Sequence, residues 1–289
     1  MIGQCNLQSR MAQLIENRTF PRFSILVGPK GSGKKTFARE IVHLFNDWRI
    51  SSDLADWYIL SDVKIDTVRE IITQAYKKVT TMIYIIPDAD NMSNAAKNAL
   101  LKVTEEPPNE AYFIMTLEDE NNTLETIRSR GTVFHMDRYT PDEIYQYTCD
   151  FDHCDTESYK LFTSICDTPG DVDLLKKMGS KEFYDYVQLV VDNIAEVSLA
   201  NAFKIPSKVA LKDTDEGYDL RLFWKAFMKV CMQGIFVNYE DKFKETDNSI
   251  KRITAINVTS KYLQKLKVKG INRQMLMDNW VLEIRELWM

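Results

Sequence analysis

Residues 28–36 read Gly-Pro-Lys-Gly-Ser-Gly-Lys-Lys-Thr, between an apolar run at 23–27 and a segment of helical apolar spacing at 37–45. A strand, a glycine-rich loop and a helix in this order form the setting of a phosphate-binding loop. The glycines let backbone N–H groups turn toward one anion, and the helix N-terminus and Lys34 add positive charge. We therefore predict a nucleotide phosphate site formed by Gly28, Pro29, Gly31, Ser32, Gly33, Lys34, Lys35 and Thr36. The alternative is a glycine turn that binds no ligand.

Two positions depart from a catalytic site of this kind. The loop pattern normally continues with Ser or Thr, whose hydroxyl holds Mg²⁺, but here Lys35 follows Lys34 and Thr36 comes one place late. The partner Asp is expected after a neighbouring strand. After the apolar run at 82–86 stand Pro87, which has no side-chain oxygen, and Asp88. We therefore place Asp88 in the site and predict no bound metal. A purely structural role for Asp88 and Asp90, at the strand end and the next helix start, is the alternative.

The composition limits the function classes. The chain has 289 residues and a net charge of −5, so independent DNA binding would need a local basic patch. Five scattered cysteines indicate a reducing compartment. Cys149, His153 and Cys154 lie close together, but no second ligand pair follows at zinc-ribbon spacing, and we expect no zinc. No apolar segment approaches the ~20 residues of a membrane span, so we predict a cytoplasmic protein without membrane contact.

The order of elements predicts the fold class. Apolar runs at 23–27, 57–60, 82–86, 112–116 and 132–136 alternate with helical patterns, which is typical of an α/β parallel sheet. From residue 140 onward helices dominate, beginning with a capping box formed by Thr140 and Glu143. We predict three domains: an α/β domain at 1–138 and helical domains at 139–198 and 199–289. A stripe at Leu276, Trp280, Ile284 and Leu287 predicts a bundle core or an interface.

Residues 98–108, Asn-Ala-Leu-Leu-Lys-Val-Thr-Glu-Glu-Pro-Pro, resemble the N-A-L-L-K-x-x-E-E-P-P signature of bacterial and phage AAA+ clamp-loader subunits. Residues 2–4, 65–71 and 127–131 also resemble motifs of this family, so the resemblance covers roughly residues 2–136. It is greatest to the delta-prime subunits of DNA polymerase III. It implies an AAA+ P-loop domain, a small helical lid and an all-α collar that mediates oligomerisation. It also implies that Thr116 is the sensor-1 residue and that Arg130 is an arginine finger acting on a neighbouring subunit.

The resemblance implies a hetero-oligomeric protein of DNA replication. Its expected partners are motor and delta-like clamp-loader subunits, the sliding clamp, and primer–template DNA within the complex. The sensor-2 arginine of active subunits is absent from residues 168–175. Together with Lys35 and Pro87, this absence predicts little or no intrinsic ATPase. We expect ATP or ADP to bind weakly or without Mg²⁺.

Several alternatives stay open at this point. The chain could be an active clamp-loader ATPase in which Thr36 reaches the metal and Asp88 is the base. It could also be a stand-alone AAA+ nucleotide-binding module in recombination or helicase loading. Arg130 could be an ordinary surface arginine. Lys97 and Lys102, on the helix after the third strand, are candidates for DNA contact or simply an exposed helix face.

Overall fold

The computed structural model describes residues 3–47, 55–77, 80–108, 111–149, 163–194, 196–204, 208–210, 217–240, 246–268 and 270–288. The chain divides into two compact units. Unit 1 contains Met1–Glu143 and Thr168–Gly170, and unit 2 contains Ile144–Asp167 and Asp171–Met289. The domain boundaries at 138 and 198 stay predictions.

The elements follow one another along the chain with the bounds listed here. The strands are β1 (Phe23–Val27), β2 (Asp56–Ile59), β3 (Met82–Ile86), β4 (Ala111–Leu117), β5 (Thr132–His135), β6 (Val209–Ala210) and β7 (Tyr218–Asp219). The α-helices are α1 (Cys5–Glu16), α2 (Lys34–Asp47), α3 (Ile65–Lys77), α4 (Asn94–Glu105), α5 (Glu125–Arg128), α6 (Pro141–Cys149), α7 (Pro169–Met178), α8 (Ser180–Asn193), α9 (Leu199–Ala202), α10 (Leu220–Glu240), α11 (Thr246–Lys265) and α12 (Arg273–Trp288). Short 3₁₀ turns occupy Ala89–Asn91 and Glu120–Asn122.

Unit 1 contains a five-stranded sheet in the order β2-β3-β4-β1-β5. All of its pairings are parallel, so each connection crosses over the sheet, and helices supply most of these crossovers. The carboxyl ends of all five strands consequently lie at one edge. At that edge Gly28 follows β1, Pro87 follows β3, and Glu118 follows β4.

The apolar runs form strands because helices cover both faces of the sheet. Every residue of β1 and of β3 is buried. Phe37 and Ile41 of α2 belong to the core on one face, and Val68 of α3 and Leu100 of α4 belong to the core on the other. Each such side chain stabilises the fold by about 1.5–3 kcal/mol when it is fully buried.

Most predicted strands and helix starts in unit 1 are confirmed. β1 and β3 match their predicted bounds, β2 and β4 differ by one residue at both ends, and β5 ends one residue earlier than predicted. The Ser93 hydroxyl accepts a hydrogen bond from the Ala96 N–H at 3.2 Å and caps α4. Thr140 and Glu143 form the predicted capping box, with hydrogen bonds of 2.8 and 3.2 Å. The predicted α/β parallel sheet followed by helices is thereby confirmed.

Unit 2 is helical and has an aromatic core. Phe223, Trp224 and Phe227 of α10 are fully buried, as is Trp280 of α12. The indole N–H of Trp280 donates to Thr259 Oγ1 at 3.0 Å, whereas the buried indole N–H of Trp224 has no partner among the described residues. Of the predicted stripe, Leu276, Trp280 and Ile284 are buried and Leu287 is half-buried.

Unit 2 contains two strands that the sequence did not predict, and part of its predicted helical region lies outside the described residues. The strands β6 and β7 pair in parallel. They were not predicted, because two residues each are too short to show a period. Residues 150–162 of the predicted helical domain at 139–198 lie outside the described residues, and His153 and Cys154 are among them. In the described part of the chain, no helix is long and apolar enough to cross a membrane.

A buried carboxylate, that of Asp171, lies in the first turn of α7, where the helix enters unit 2. Asp171 is 1% exposed, and its Oδ2 accepts hydrogen bonds from the Asp167 N–H at 3.1 Å and from Arg221 Nη1 at 3.2 Å. Arg221 Nη2 also contacts Asp171 Oδ1, and Lys225 Nζ lies 3.7 Å from the carboxylate. The two α10 cations therefore neutralise a charge that could not be buried alone.

Candidate functional site

The glycine-rich loop curls over the start of α2 because two of its glycines have positive φ. Gly31 has φ +80° and Gly33 has φ +82°, a conformation that glycine adopts without steric cost. The loop is tied to the sheet by the Gly28 N–H, which donates to the Leu117 carbonyl of β4 at 3.1 Å. The first N–H groups of α2 have no partner within the helix, as at any helix start. The loop and the helix start thus form a cradle for an anion.

Lys34 is the first residue of α2 and is only 7% exposed. Its ammonium donates to the carbonyls of Gly28 at 2.7 Å and Pro29 at 2.9 Å. Burial lowers the pKa of Lys34, while the carboxylates of Glu118, Asp90 and Asp88 act in the opposite direction. An ammonium has three donors, so one N–H beyond these two contacts can serve a phosphate oxygen.

Ser32 gives direct evidence on what this loop can hold. The residue is 1% exposed, and its Oγ has no hydrogen-bond partner among the described residues. A buried hydroxyl without a partner costs about 1–3 kcal/mol, which an incoming oxygen would recover. Together with Lys34 and the helix start, Ser32 fits the phosphate group of a nucleotide.

A second segment of unit 1, Thr168–Gly170, packs against the loop. The Gly170 N–H donates to the Gly31 carbonyl at 3.0 Å, and Thr168 Oγ1 donates to the Lys30 carbonyl at 3.3 Å. A Cβ atom on Gly170 would lie 2.5 Å from Gly31 Cα, so the two backbones touch at a pair of glycines. The sequence shows only that this segment has no arginine, because no local pattern indicates its approach to a loop 138 residues away.

Lys35 and Asp88, both predicted site residues, form an ion pair. Lys35 Nζ lies 2.6 Å from Asp88 Oδ2, and both side chains are about half exposed. Asp88 has φ +50°, which is uncommon for a residue with a side chain. Its N–H donates to the hydroxyl of the fully buried Thr116 at 3.0 Å. The structure therefore brings Lys35, Asp88 and Thr116 to one place, beside the phosphate cradle.

The donor set at this place does not fit Mg²⁺. P-loop enzymes hold that ion with the Ser or Thr after the loop lysine and with an Asp after a neighbouring strand. Here the first position carries the ammonium of Lys35, the second is Pro87, and the Asp88 carboxylate already faces Lys35. Thr36 lies exposed on α2. Across the described residues, no group of three or more His, Cys, Asp or Glu could hold a metal ion.

The loop after β4 contributes Glu118, which the sequence pattern did not indicate as a site residue. Asp90 accepts hydrogen bonds from the Glu118 N–H at 2.8 Å and from Asn122 Nδ2 at 2.9 Å, so it holds this loop. Glu118 is thereby brought near Lys34, where its carboxylate opposes the lowering of the Lys34 pKa by burial. The same loop accepts a hydrogen bond from Lys97, which is 6% exposed and does not lie on an exposed helix face. Lys102 is exposed.

Arg130 lies at the other edge of the sheet from the phosphate loop. It precedes β5 by two residues, and β5 is parallel to β1. The four residues of β5 alone span about 13 Å between the two edges. At the amino edge, Arg130 Nη2 lies 2.6 Å from Glu105 Oε1, and Nη1 donates to the Thr126 carbonyl at 2.7 Å. A guanidinium has five N–H donors, so these two contacts leave three for an outside anion.

The predicted resemblance to AAA+ clamp-loader subunits is confirmed by comparison with known proteins. Residues 60–140 match the family model described as "DNA polymerase III, delta subunit". This region includes β3, the conspicuous 98–108 segment, Thr116 and Arg130.

Two curated relatives and one solved structure are among the proteins that match this chain. The DNA polymerase III subunit gamma of Buchnera aphidicola subsp. Schizaphis graminum is 28% identical over 145 residues, which cover 43% of this chain and 40% of the relative. The DNA polymerase III subunit delta' of Yersinia pestis is 34% identical over 90 residues, covering 28% of this chain and 26% of the relative. The crystal structure of a DNA polymerase III, gamma subunit-related protein from Thermotoga maritima aligns with a TM-score of 0.49 and 17% identity, over 98% of this chain and 99% of that one. The chain thus covers less than half the length of either curated relative.

Proposed function

We propose that this chain is a delta-prime-like subunit of a sliding-clamp loader, with little or no ATPase of its own, that supplies Arg130 to the nucleotide of a neighbouring subunit. The similarity to clamp-loader subunits supports the class of protein. Motor and delta-like subunits would be its partners, in a cytoplasmic hetero-oligomer that loads the clamp onto primer–template DNA. Its own P-loop would bind ATP or ADP weakly or without Mg²⁺.

The placement of Arg130 is the observation that carries the proposal. An arginine finger acts by putting a guanidinium beside charge that develops on the transferring phosphoryl group. Arg130 lies at the amino edge of the sheet, whereas its own P-loop follows β1 at the carboxyl edge. The guanidinium therefore lies away from its own P-loop, which supports an action on the phosphates of a neighbouring subunit.

The state of the P-loop supports the second half of the proposal. Hydrolysis needs a metal ion and a group that orients the attacking water. Lys35 and Pro87 stand where two metal-holding groups are expected, and Asp88, which would have to act as the base, is paired with Lys35. These residues support phosphate binding without turnover.

We expect the isolated chain to show no ATP hydrolysis above that of its own Lys34→Ala variant, and to co-purify with motor clamp-loader subunits when they are co-expressed. Phosphate release and gel filtration are the two measurements. Turnover that disappears in Lys34→Ala would instead identify an active ATPase subunit. Failure to join the motor subunits would favour a stand-alone AAA+ module.

Glu105 is expected to position Arg130 for its action in trans, since its carboxylate holds one edge of the guanidinium. In a reconstituted complex, Glu105→Gln should lower the DNA-stimulated kcat by roughly the tenfold that about 1.4 kcal/mol represents, with little change in the KM for ATP. Glu106→Gln is the matched control, because Glu106 is the exposed neighbour. Equal kcat values for Glu105→Gln and the control would contradict this role.

A further inference from the structure

The geometry points to a pocket in which the Lys35 ammonium takes the place of Mg²⁺, so that nucleoside di- or triphosphate binds in its metal-free form. The inference deepens one part of the proposed function, nucleotide binding by the P-loop, and is independent of the finger role of Arg130. It starts from the mismatch between the residues present and the metal that such loops ordinarily use.

The positive charge of Lys35 lies between two elements that a metal ion usually links. In P-loop enzymes one Mg²⁺ ion links the residue after the loop lysine to an acid after a neighbouring strand. In this chain the same two elements, the start of α2 and the turn after β3, are linked by Lys35 Nζ and Asp88 Oδ2 at 2.6 Å. An ammonium thus bridges the elements that a metal would otherwise bridge.

The backbone conformation of Asp88 and a hydrogen bond from its N–H hold this residue in position for the ion pair. Asp88 adopts φ +50° and its N–H donates to the buried Thr116 hydroxyl at 3.0 Å. Pro87, buried before it, supplies no oxygen ligand. The strand β4 lies between β1 and β3. Thr116 of β4 therefore holds Asp88, which follows β3, close to Lys35, which follows β1. A metal ion would have to displace Lys35 from Asp88 and would then have the Asp88 carboxylate as its ligand.

Three side chains, those of Lys34, Ser32 and Lys35, can contact phosphate oxygens. Lys34 retains one N–H beyond its two loop carbonyls, and the Ser32 hydroxyl is buried without a described partner. Lys35 sits one residue further on and is about half exposed, so its ammonium can turn from Asp88 to a phosphate oxygen. Two ammonium groups and a helix N-terminus then neutralise a polyphosphate without a metal. Asp88 competes with the ligand for Lys35.

The test is a titration of the full-length chain with ADP, by isothermal titration calorimetry, in excess EDTA and in excess MgCl₂. The wild-type Kd should differ by less than about threefold between the two conditions, which is under ~0.7 kcal/mol. Lys35→Thr should bind ADP about tenfold or more weakly in EDTA, because a charge-assisted contact is lost. MgCl₂ should restore part of that loss, since Thr supplies a hydroxyl ligand. Asp88→Asn should bind ADP more tightly than wild type in EDTA.

The control is Arg39→Thr, which removes one positive charge from an exposed position one turn further along α2 and should leave the Kd unchanged. Circular dichroism confirms that each variant is folded. Wild-type binding that requires Mg²⁺, or metal-free binding that survives Lys35→Thr, would overturn the inference. No ADP binding in either condition would overturn it as well, together with the nucleotide part of the proposed function. The Arg130 proposal is judged separately, on the activity of the complex.

Discussion

Arg130→Ala is expected to abolish most of the DNA-stimulated ATP hydrolysis of the reconstituted clamp-loader complex while leaving its assembly intact. At the site that receives it, an arginine finger contributes about 10³–10⁵ in rate. The guanidinium is held at the amino edge of the sheet by Glu105 and the Thr126 carbonyl, with donors left for an anion. Steady-state phosphate release with primer–template DNA measures the loss, and gel filtration measures assembly.

Two further variants decide whether the loss reports a finger. Arg128→Ala is the matched control: Arg128 lies two residues away and bonds Asn121 at 3.3 Å, and its loss should leave the rate near that of wild type. Arg130→Lys keeps the charge but loses the planar fork, so we expect it to recover only a small part of the rate. A complex with Arg130→Ala that assembles and hydrolyses ATP normally would refute the finger role.

Asp171→Ala is expected to lower the free energy of unfolding of unit 2 by about 3–5 kcal/mol, the usual result of removing one partner from a buried ion pair. The carboxylate is 1% exposed and is shared by Arg221 and Lys225 of α10 and by the Asp167 N–H. Without it, among the described residues, Arg221 keeps only Asp219 at 4.0 Å, Lys225 keeps only Asp167 at 2.5 Å, and the Asp167 N–H loses its acceptor. Urea unfolding of the full chain, followed by far-UV circular dichroism, gives the change in free energy.

Asp185→Ala is the control for this effect, because Asp185 lies exposed on the neighbouring helix α8. Its removal should change the free energy of unfolding by less than about 0.5 kcal/mol, as is usual for surface positions. If Asp171→Ala cost no more than Asp185→Ala, the two α10 cations would not depend on this carboxylate, and the prediction would be wrong.

The elements that sequence analysis predicted well share one property: their signal is local. β1 and β3 are continuous apolar runs because both of their faces are buried, and their bounds were correct. The capping box of Thr140 with Glu143 depends on two residues three positions apart, and it forms. Bounds shifted at β2 and β5, where several residues are exposed and the apolar pattern weakens, and also at β4, whose largely buried run extends one residue further at each end.

The elements that sequence analysis missed depend on distant residues. Glu118 reaches the neighbourhood of Lys34 because β4 inserts between β1 and β3. Lys97 looked exposed on its own helix, but the loop after β4 covers it. The contact between Gly31 and Gly170 joins segments that no periodicity connects.

By itself, the sequence determined a parallel α/β sheet with a glycine-rich loop after its first strand and a resemblance to clamp-loader subunits. It also showed that Lys35 and Pro87 replace metal-holding groups, since residue type alone decides which side chains carry oxygen. Only the tertiary structure decided that Lys35 meets Asp88, and that Arg130 and Glu105 lie at the opposite edge from the loop. Both depend on strand order and direction, because a parallel sheet gathers strand ends far apart in sequence at one edge and separates residues at the two ends of a strand.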